Sequence, residues 1–235
     1  MRVFVLTFLL LAAALAAPAS GAPRSHAHAA IPALAPGDHL VVRPRQPLLV
    51  LRASPGGPPL VRVGPRARFG GPLVLGVVAR RGDWLGVSSE ELPNGEIGWV
   101  DAAAAAVSVG TVRYELRVEL GARRLDVVDG GRVVRRIPVA VGSPDSPTPT
   151  GRFAVAEKLD GASINPVYGC CILALTARQP DPPPGWDRGQ TYFVAIHVGG
   201  GIGSASSAGC LHATETELRY LMRTIPLGTP VTIER

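Results

Sequence analysis

The chain has 235 residues, 46% of them hydrophobic and 18% charged, with 28 Gly and 23 Pro dispersed along it. This length allows one large domain or two small ones with a real core, and the composition is that of a turn-rich, strand-heavy globular protein. The net charge of +6 comes almost entirely from arginine, since Lys158 is the only lysine; the arginines are scattered, with no basic helix or aromatic-basic stripe, so the charge makes no nucleic-acid site and gives at most loose attraction to anionic polymers.

In chain order, Arg2 precedes an apolar run over residues 3–17 and the small-residue stretch Ala19-Ser20-Gly21-Ala22. This predicts a secretory signal over residues 1–21, because a membrane span needs about 20 apolar residues, and it implies a secreted, periplasmic or cell-envelope protein. No cysteine stands near its end, which argues against lipoprotein processing. Residues 22–47, rich in Pro, Ala and His without periodicity, read as a flexible lead-in; the spacing of His26, His28 and His39 matches no closed metal site. Residues 48–101 hold five short apolar runs, at 48–51, 60–63, 73–78, 84–87 and 97–100, each bounded by turn signals. They predict a small β-barrel in which Asn94-Gly95 makes a tight hairpin turn and at least one of Trp84 and Trp99 lies in the core. The segments Gly82-Asp83-Trp84-Leu85-Gly86-Val87 and Asn94-Gly95-Glu96-Ile97-Gly98-Trp99-Val100 resemble bacterial SH3-like domains, a resemblance that implies wall binding or a spacer role. The alanine-rich residues 102–110 read as a short helical linker.

Residues 111–235 form a second strand-rich unit. Val112, Tyr114, Leu116, Val118 and Leu120 alternate with polar neighbours, as in a half-buried strand. Residues 125–128 and 133–141 predict a hairpin around Asp129-Gly130-Gly131; 145–151 is a loop, and 153–155, 168–176 and 192–196 are further strands. Thr214-x-x-Glu217 is a capping box opening a helix with Leu218, Leu221, Met222 and Ile225 on one face; Gly228 closes it and residues 229–233 return as a strand. The expected fold is mainly β, a small SH3-like barrel followed by a β-rich domain with one principal helix. Three cysteines leave at least one thiol without an intramolecular partner. Cys170 and Cys171 are adjacent, so within a strand they would face opposite sides and act as small packing residues.

Outside the lead-in the only histidines are His197 and His212, and between them lies a glycine-rich stretch ending in Cys210. A free thiol with a pKa of about 8.5 is only a few per cent ionised at neutral pH, and a nearby imidazole raises its reactivity. This concentration predicts Cys210 as a nucleophile and His197 as its base. Gly209 leaves the backbone N–H groups around 209–211 free of a neighbouring side chain, so that they can face an oxyanion. A metal set of Cys170, Cys210 and His197 lacks paired ligand spacing and would suppress the nucleophile. No metal and no organic cofactor is expected.

Ser207-Ala208-Gly209-Cys210-Leu211-His212, with His197 upstream, resembles the His … Ser-x-Gly-Cys-aliphatic-Arg signature of L,D-transpeptidases with a YkuD catalytic domain. The resemblance continues through Val139-Ala140-Val141-Gly142 and Thr148-Pro149-Thr150-Gly151-Arg152-Phe153 and covers about residues 111–234. Ala208 stands where the family usually has His, and His212 where it has Arg. The resemblance implies Cys210 as nucleophile and His197 as acid and base, with Ser207, Gly209, Leu211 and His212 forming the substrate and oxyanion site. It further implies a 3-3 cross-link between peptidoglycan stem peptides through a Cys210 thioester, acylation by carbapenems, and wall-polymer contact through the N-terminal domain. An L,D-carboxypeptidase or endopeptidase with the same Cys-His pair, or a non-catalytic wall-binding protein, are the alternatives. His212 reads as a hydrogen-bonding strut, with a role as the base in place of His197 as the alternative.

Overall fold

The computed structural model describes residues 31–104 and 106–235, so the signal over residues 1–21 and the part of the lead-in bearing His26 and His28 lie outside the described residues. The first unit is a sheet of β1 (His39–Pro44), β2 (Leu49–Arg52), β3 (Pro59–Val63), β4 (Leu75–Arg81), β5 (Trp84–Val87), β6 (Gly98–Asp101) and β7 (Val107–Val112). Its order is β3-β2-β6-β5-β4-β1-β7, around a core that includes Leu51, Leu75, Leu85, Val87 and Val100. The five apolar runs became β2 to β6. Trp99 is buried and Trp84 half-buried.

Three sequence expectations fail in this unit. Residues 39–44 are not lead-in but strand β1, and residues 107–110 are not linker but the start of β7. The two strands pair antiparallel from His39↔Val112 to Pro44↔Val107, and this distant partner decides a conformation that local composition did not. Asn94-Gly95 does not close a tight hairpin; residues 88–97 form a longer connection between β5 and β6. The Asn94 side chain instead donates to the Arg178 carbonyl at 2.7 Å and accepts from its N–H at 2.8 Å, bridging to the second unit.

The second unit contains β8 (Tyr114–Glu119), β9 (Arg124–Asp129), β10 (Arg132–Pro138), β11 (Val141–Gly142), β12 (Gly151–Leu159), α1 (Gly161–Ile164), β13 (Ile172–Gln179), β14 (Tyr192–Val198), β15 (Ala205–Ser207), β16 (Leu211–Ala213), α2 (Glu215–Thr224) and β17 (Pro230–Glu234). Eight of its strands form one sheet, β10-β9-β8-β17-β12-β13-β14-β16, on which α2 buries Leu218 and Leu221. The protein is mainly β with one principal helix, as expected. The helix ends at Thr224 rather than Gly228, because Pro226 has no N–H to continue it. Thr214 caps it by accepting from the Glu217 N–H at 3.4 Å, but the Glu217 carboxylate turns away to Arg135 at 2.6 and 3.0 Å.

The expected strand over 168–176 is also corrected. A 3-10 turn, Pro166–Tyr168, precedes Gly169, and the strand begins only at Ile172. Cys170 and Cys171 therefore lie outside it and need not alternate; they are joined by a disulfide to each other, which leaves Cys210 as the free thiol.

The two units pack backbone to backbone. A Cβ on Gly76 would stand 2.7 Å from the Ala154 Cβ and 2.8 Å from the Gly228 carbonyl oxygen, so only glycine admits this approach. Val41, Val74 and Val112 are buried together against Leu227. Arg178 donates to the Glu90 carbonyl at 3.0 and 2.7 Å, and the hydroxyls of Ser88 and Thr176 meet at 3.4 Å.

Candidate active site

β14 and β16 run parallel, with Ile196 opposite Leu211 and His197 opposite His212. Cys210 enters one residue before β16, and His197 lies near the end of β14. Both line a pocket of about 320 Å³ whose walls are mostly apolar and include Phe69, Tyr168, Trp186 and Phe193. The Cys210 thiol is half-buried and donates weakly to the Phe193 carbonyl, Sγ to oxygen 3.9 Å. Burial pushes its pKa above the ordinary thiol value, and the backbone at Ala195 offsets part of that by favouring the thiolate.

His197 is 8% exposed. Its Nδ1 lies 2.8 Å from the Val198 carbonyl, and a proton placed there leaves Nε2 as the basic nitrogen. The ring sits between Tyr168, edge-on at 4.9 Å, and His212 at 4.7 Å. Burial lowers its pKa first, the Val198 carbonyl raises it and His212 lowers it again, a net downward shift that favours the neutral imidazole. In this resting geometry the thiol bonds to a carbonyl rather than to the imidazole. Catalytic hydrogen bonds commonly tighten only when substrate enters.

Around Cys210 three successive carbonyls are tethered by side chains. Ser146 Oγ and Gln179 Nε2 each donate to the Ala208 carbonyl at 3.0 Å. Thr148 Oγ1 donates to the Gly209 carbonyl at 2.9 Å and accepts from the Gly142 N–H at 2.8 Å. Ser207 Oγ donates to the Cys210 carbonyl at 2.6 Å and accepts from the Gly209 N–H at 3.1 Å. In a trans peptide N–H and C=O point opposite ways, so holding the Gly209 carbonyl against Thr148 directs the Cys210 N–H away from Thr148. Gly209 has φ +111°, a conformation that residues with a side chain rarely adopt, and a Cβ there would also run into the Gln179 amide. Only glycine fits that position.

Cys210, His197, Ser207 and Gly209 are thus brought to one place. Leu211 is not part of the pocket; it is fully buried in the core of the second unit. His212 is half-buried beside His197, with Nδ1 3.0 Å from the Gly200 carbonyl, a contact that braces the glycine-rich loop. Sequence reasoning missed Gln179 and Ser146, which carry no local signal, and saw Thr148 only as part of a quoted segment. Among the described residues no cluster of three or more His, Cys, Asp or Glu side chains is placed to hold a metal ion.

The YkuD model, an L,D-transpeptidase catalytic domain, matches residues 113–233. The chain is 30% identical over 128 residues to the putative L,D-transpeptidase YkuD of Bacillus subtilis, covering 53% of this chain and 68% of that protein. It is 28% identical over 126 residues to the protein of the same name from Bacillus licheniformis, covering 52% and 67%. A solved L,D-transpeptidase from Mycobacterium smegmatis is similar over 66% of this chain and 69% of its own, at 17% identity and a TM-score of 0.40. The family match runs from the start of β8 into β17 and contains Cys210, His197 and every side chain that tethers the Cys210 loop: this chain belongs to the YkuD family of L,D-transpeptidase catalytic domains.

Proposed function

We propose that the protein is an exported peptidoglycan L,D-transpeptidase that forms 3-3 cross-links through a thioester on Cys210. The observation that carries this reading is a free thiol and an imidazole lining one apolar pocket, with the thiol's loop fixed by four side-chain tethers. Residues 1–21 act as the export signal, and the N-terminal unit contacts wall polymer.

In the first half-reaction Cys210 Sγ attacks the carbonyl carbon between the third stem residue and the D-alanine at position four. His197 Nε2 accepts the thiol proton. The Cys210 N–H stabilises the tetrahedral oxyanion, a donor of a kind that contributes ~3 kcal/mol. Collapse breaks the C–N bond, His197 returns the proton to the departing D-alanine nitrogen, and the thioester remains. In the second half the side-chain amine of another stem attacks the thioester and His197 takes its proton. Collapse forms the amide and releases the Cys210 thiolate, which His197 reprotonates. Carbapenems mimic the acyl donor and acylate the same sulfur.

Tetrapeptide muropeptides incubated with the protein and analysed by mass spectrometry are expected to give cross-linked dimers and free D-alanine. Trimmed monomers alone would replace transfer to an amine by transfer to water. Cys210→Ala is expected to abolish products and carbapenem adducts, whereas Cys170→Ala and Cys171→Ala keep the adduct. A surviving adduct on the Cys210 variant would move the nucleophile elsewhere.

A further inference from the structure

The catalytic pocket is not built by the second unit alone. Phe69, on the connection between β3 and β4, belongs to the N-terminal unit, yet it lines the pocket that holds Cys210 and His197. It is a large apolar side chain left 53% exposed. Its backbone, by contrast, is fixed. The Phe69 N–H donates to Glu157 Oε2 at 2.7 Å and the Gly71 N–H to Glu157 Oε1 at 2.8 Å. Glu157, on β12, is 1% exposed, so both oxygens of a buried carboxylate hold this one turn. A Cβ on Gly71 would stand 2.8 Å from Glu157 Oε1, which keeps that position small. Next to it the Arg68 N–H donates to Glu90 Oε1 at 2.8 Å, and the Arg68 guanidinium lies 4.4 Å from the centre of the Phe193 ring, itself a pocket wall.

Burying a carboxylate is costly unless its oxygens are satisfied by hydrogen bonds. The anchor ties the two units together, and it also fixes the Phe69 ring at the mouth of the pocket that holds Cys210. We infer that Phe69 is a substrate-binding residue, an apolar wall contributed by the N-terminal unit that packs against the aliphatic part of the stem peptide donor. Glu157 is its positioning residue. This rests on the stem-peptide reading of the pocket given above.

The test is protection of Cys210 from alkylation by iodoacetamide, read by intact mass at increasing tetrapeptide muropeptide, together with product analysis. Losing the apolar contact of one partly buried phenyl ring is expected to raise the half-protecting concentration about tenfold in Phe69→Ala. The alkylation rate without muropeptide, measured for each variant, is the reference against which its protection is scaled. Phe69→Leu should restore most of the affinity. Glu157→Gln should move it in the same direction as Phe69→Ala, through release of the turn, with circular dichroism and unprotected alkylation reporting the fold. Unchanged half-protection in Phe69→Ala, with the wild type protected and forming dimers, overturns the inference and leaves the proposed function standing. Protection weakened in Phe69→Ala without any cross-linked product overturns the transpeptidase reading and leaves the inference standing. No protection of the wild type at all overturns both.

Discussion

Replacing Thr148 by Val keeps the shape of a side chain that is 4% exposed and removes one hydroxyl. That hydroxyl accepts from the Gly142 N–H and donates to the Gly209 carbonyl, so the substitution orphans two buried backbone groups at once. Each unsatisfied buried group costs ~1–3 kcal/mol, and partial relaxation brings the expected loss to about 2–4 kcal/mol. For a chain of this length that lowers the Tm by about 5–10 °C. The chemistry should suffer more than the fold, because the Gly209–Cys210 peptide is then free to rotate. Loss of an aligned oxyanion donor reduces rates by about 10²-fold or more. Thr148→Ser keeps both hydrogen bonds, drops only a methyl, and should cost under about 1.5 kcal/mol with acylation close to wild type. Thermal unfolding by circular dichroism and a carbapenem acylation time course by intact mass, run well below either Tm, measure both effects. A Thr148→Val protein that matches the wild type in Tm and acylation rate would refute the claim that these tethers set the geometry of the nucleophile.

Three further expectations concern Cys210 and the two histidines. Burial raises the Cys210 pKa, so iodoacetamide alkylation should keep climbing past pH 9; a plateau already reached at pH 7 would mean that the resting pair is an ion pair. Burial lowers the His197 pKa, so below about pH 6.5 the unfolded chain binds the extra proton first. Stability should therefore fall as pH drops from about 6.5 through the lower folded-state value, and the urea midpoint of His197→Gln should show a shallower slope, the remainder coming from His39, whose pKa burial also lowers. His212→Gln should keep a measurable acylation rate, whereas His197→Gln should lose a factor of about 10² to 10⁴; the reverse ranking would make His212 the base.

What could be read in the sequence divides along the range of the interactions. β2 to β6, the β9–β10 hairpin and α2 follow from patterns contained within a few residues, and those patterns were legible. β1 and β7 were not, because each is a strand only by virtue of the other, with about 65 residues between them. The turn before β13 was hidden by composition. Val167, Tyr168, Cys170 and Cys171 look like a strand until the cysteines are seen to bond to each other. Cys210 and His197 stood out because cysteine and histidine are scarce here and glycine flanks them. Gln179, Ser146 and Thr148 lie 29, 62 and 61 residues from the carbonyls they hold, and nothing in an isolated polar residue announces such a partner.

The same distinction decides how the two units relate. A linker over residues 102–110 would make the N-terminal unit detachable, with all the chemistry beyond it. In the structure β7 runs into β8 with Arg113 alone between them, and β7 pairs along its whole length with β1. Removing the first unit would strip Leu227 of Val41 and Val74, and would leave the buried carboxylate of Glu157 without the two N–H groups that satisfy it. An uncompensated buried charge takes up a proton, draws in water or forces the surrounding structure to relax. Since Glu157 sits on β12, beside the strand that carries Gln179, such a relaxation would travel one strand from the tether behind Cys210. The N-terminal unit is therefore part of the body that holds Cys210 in place, joined to the pocket through Phe69 and Glu157.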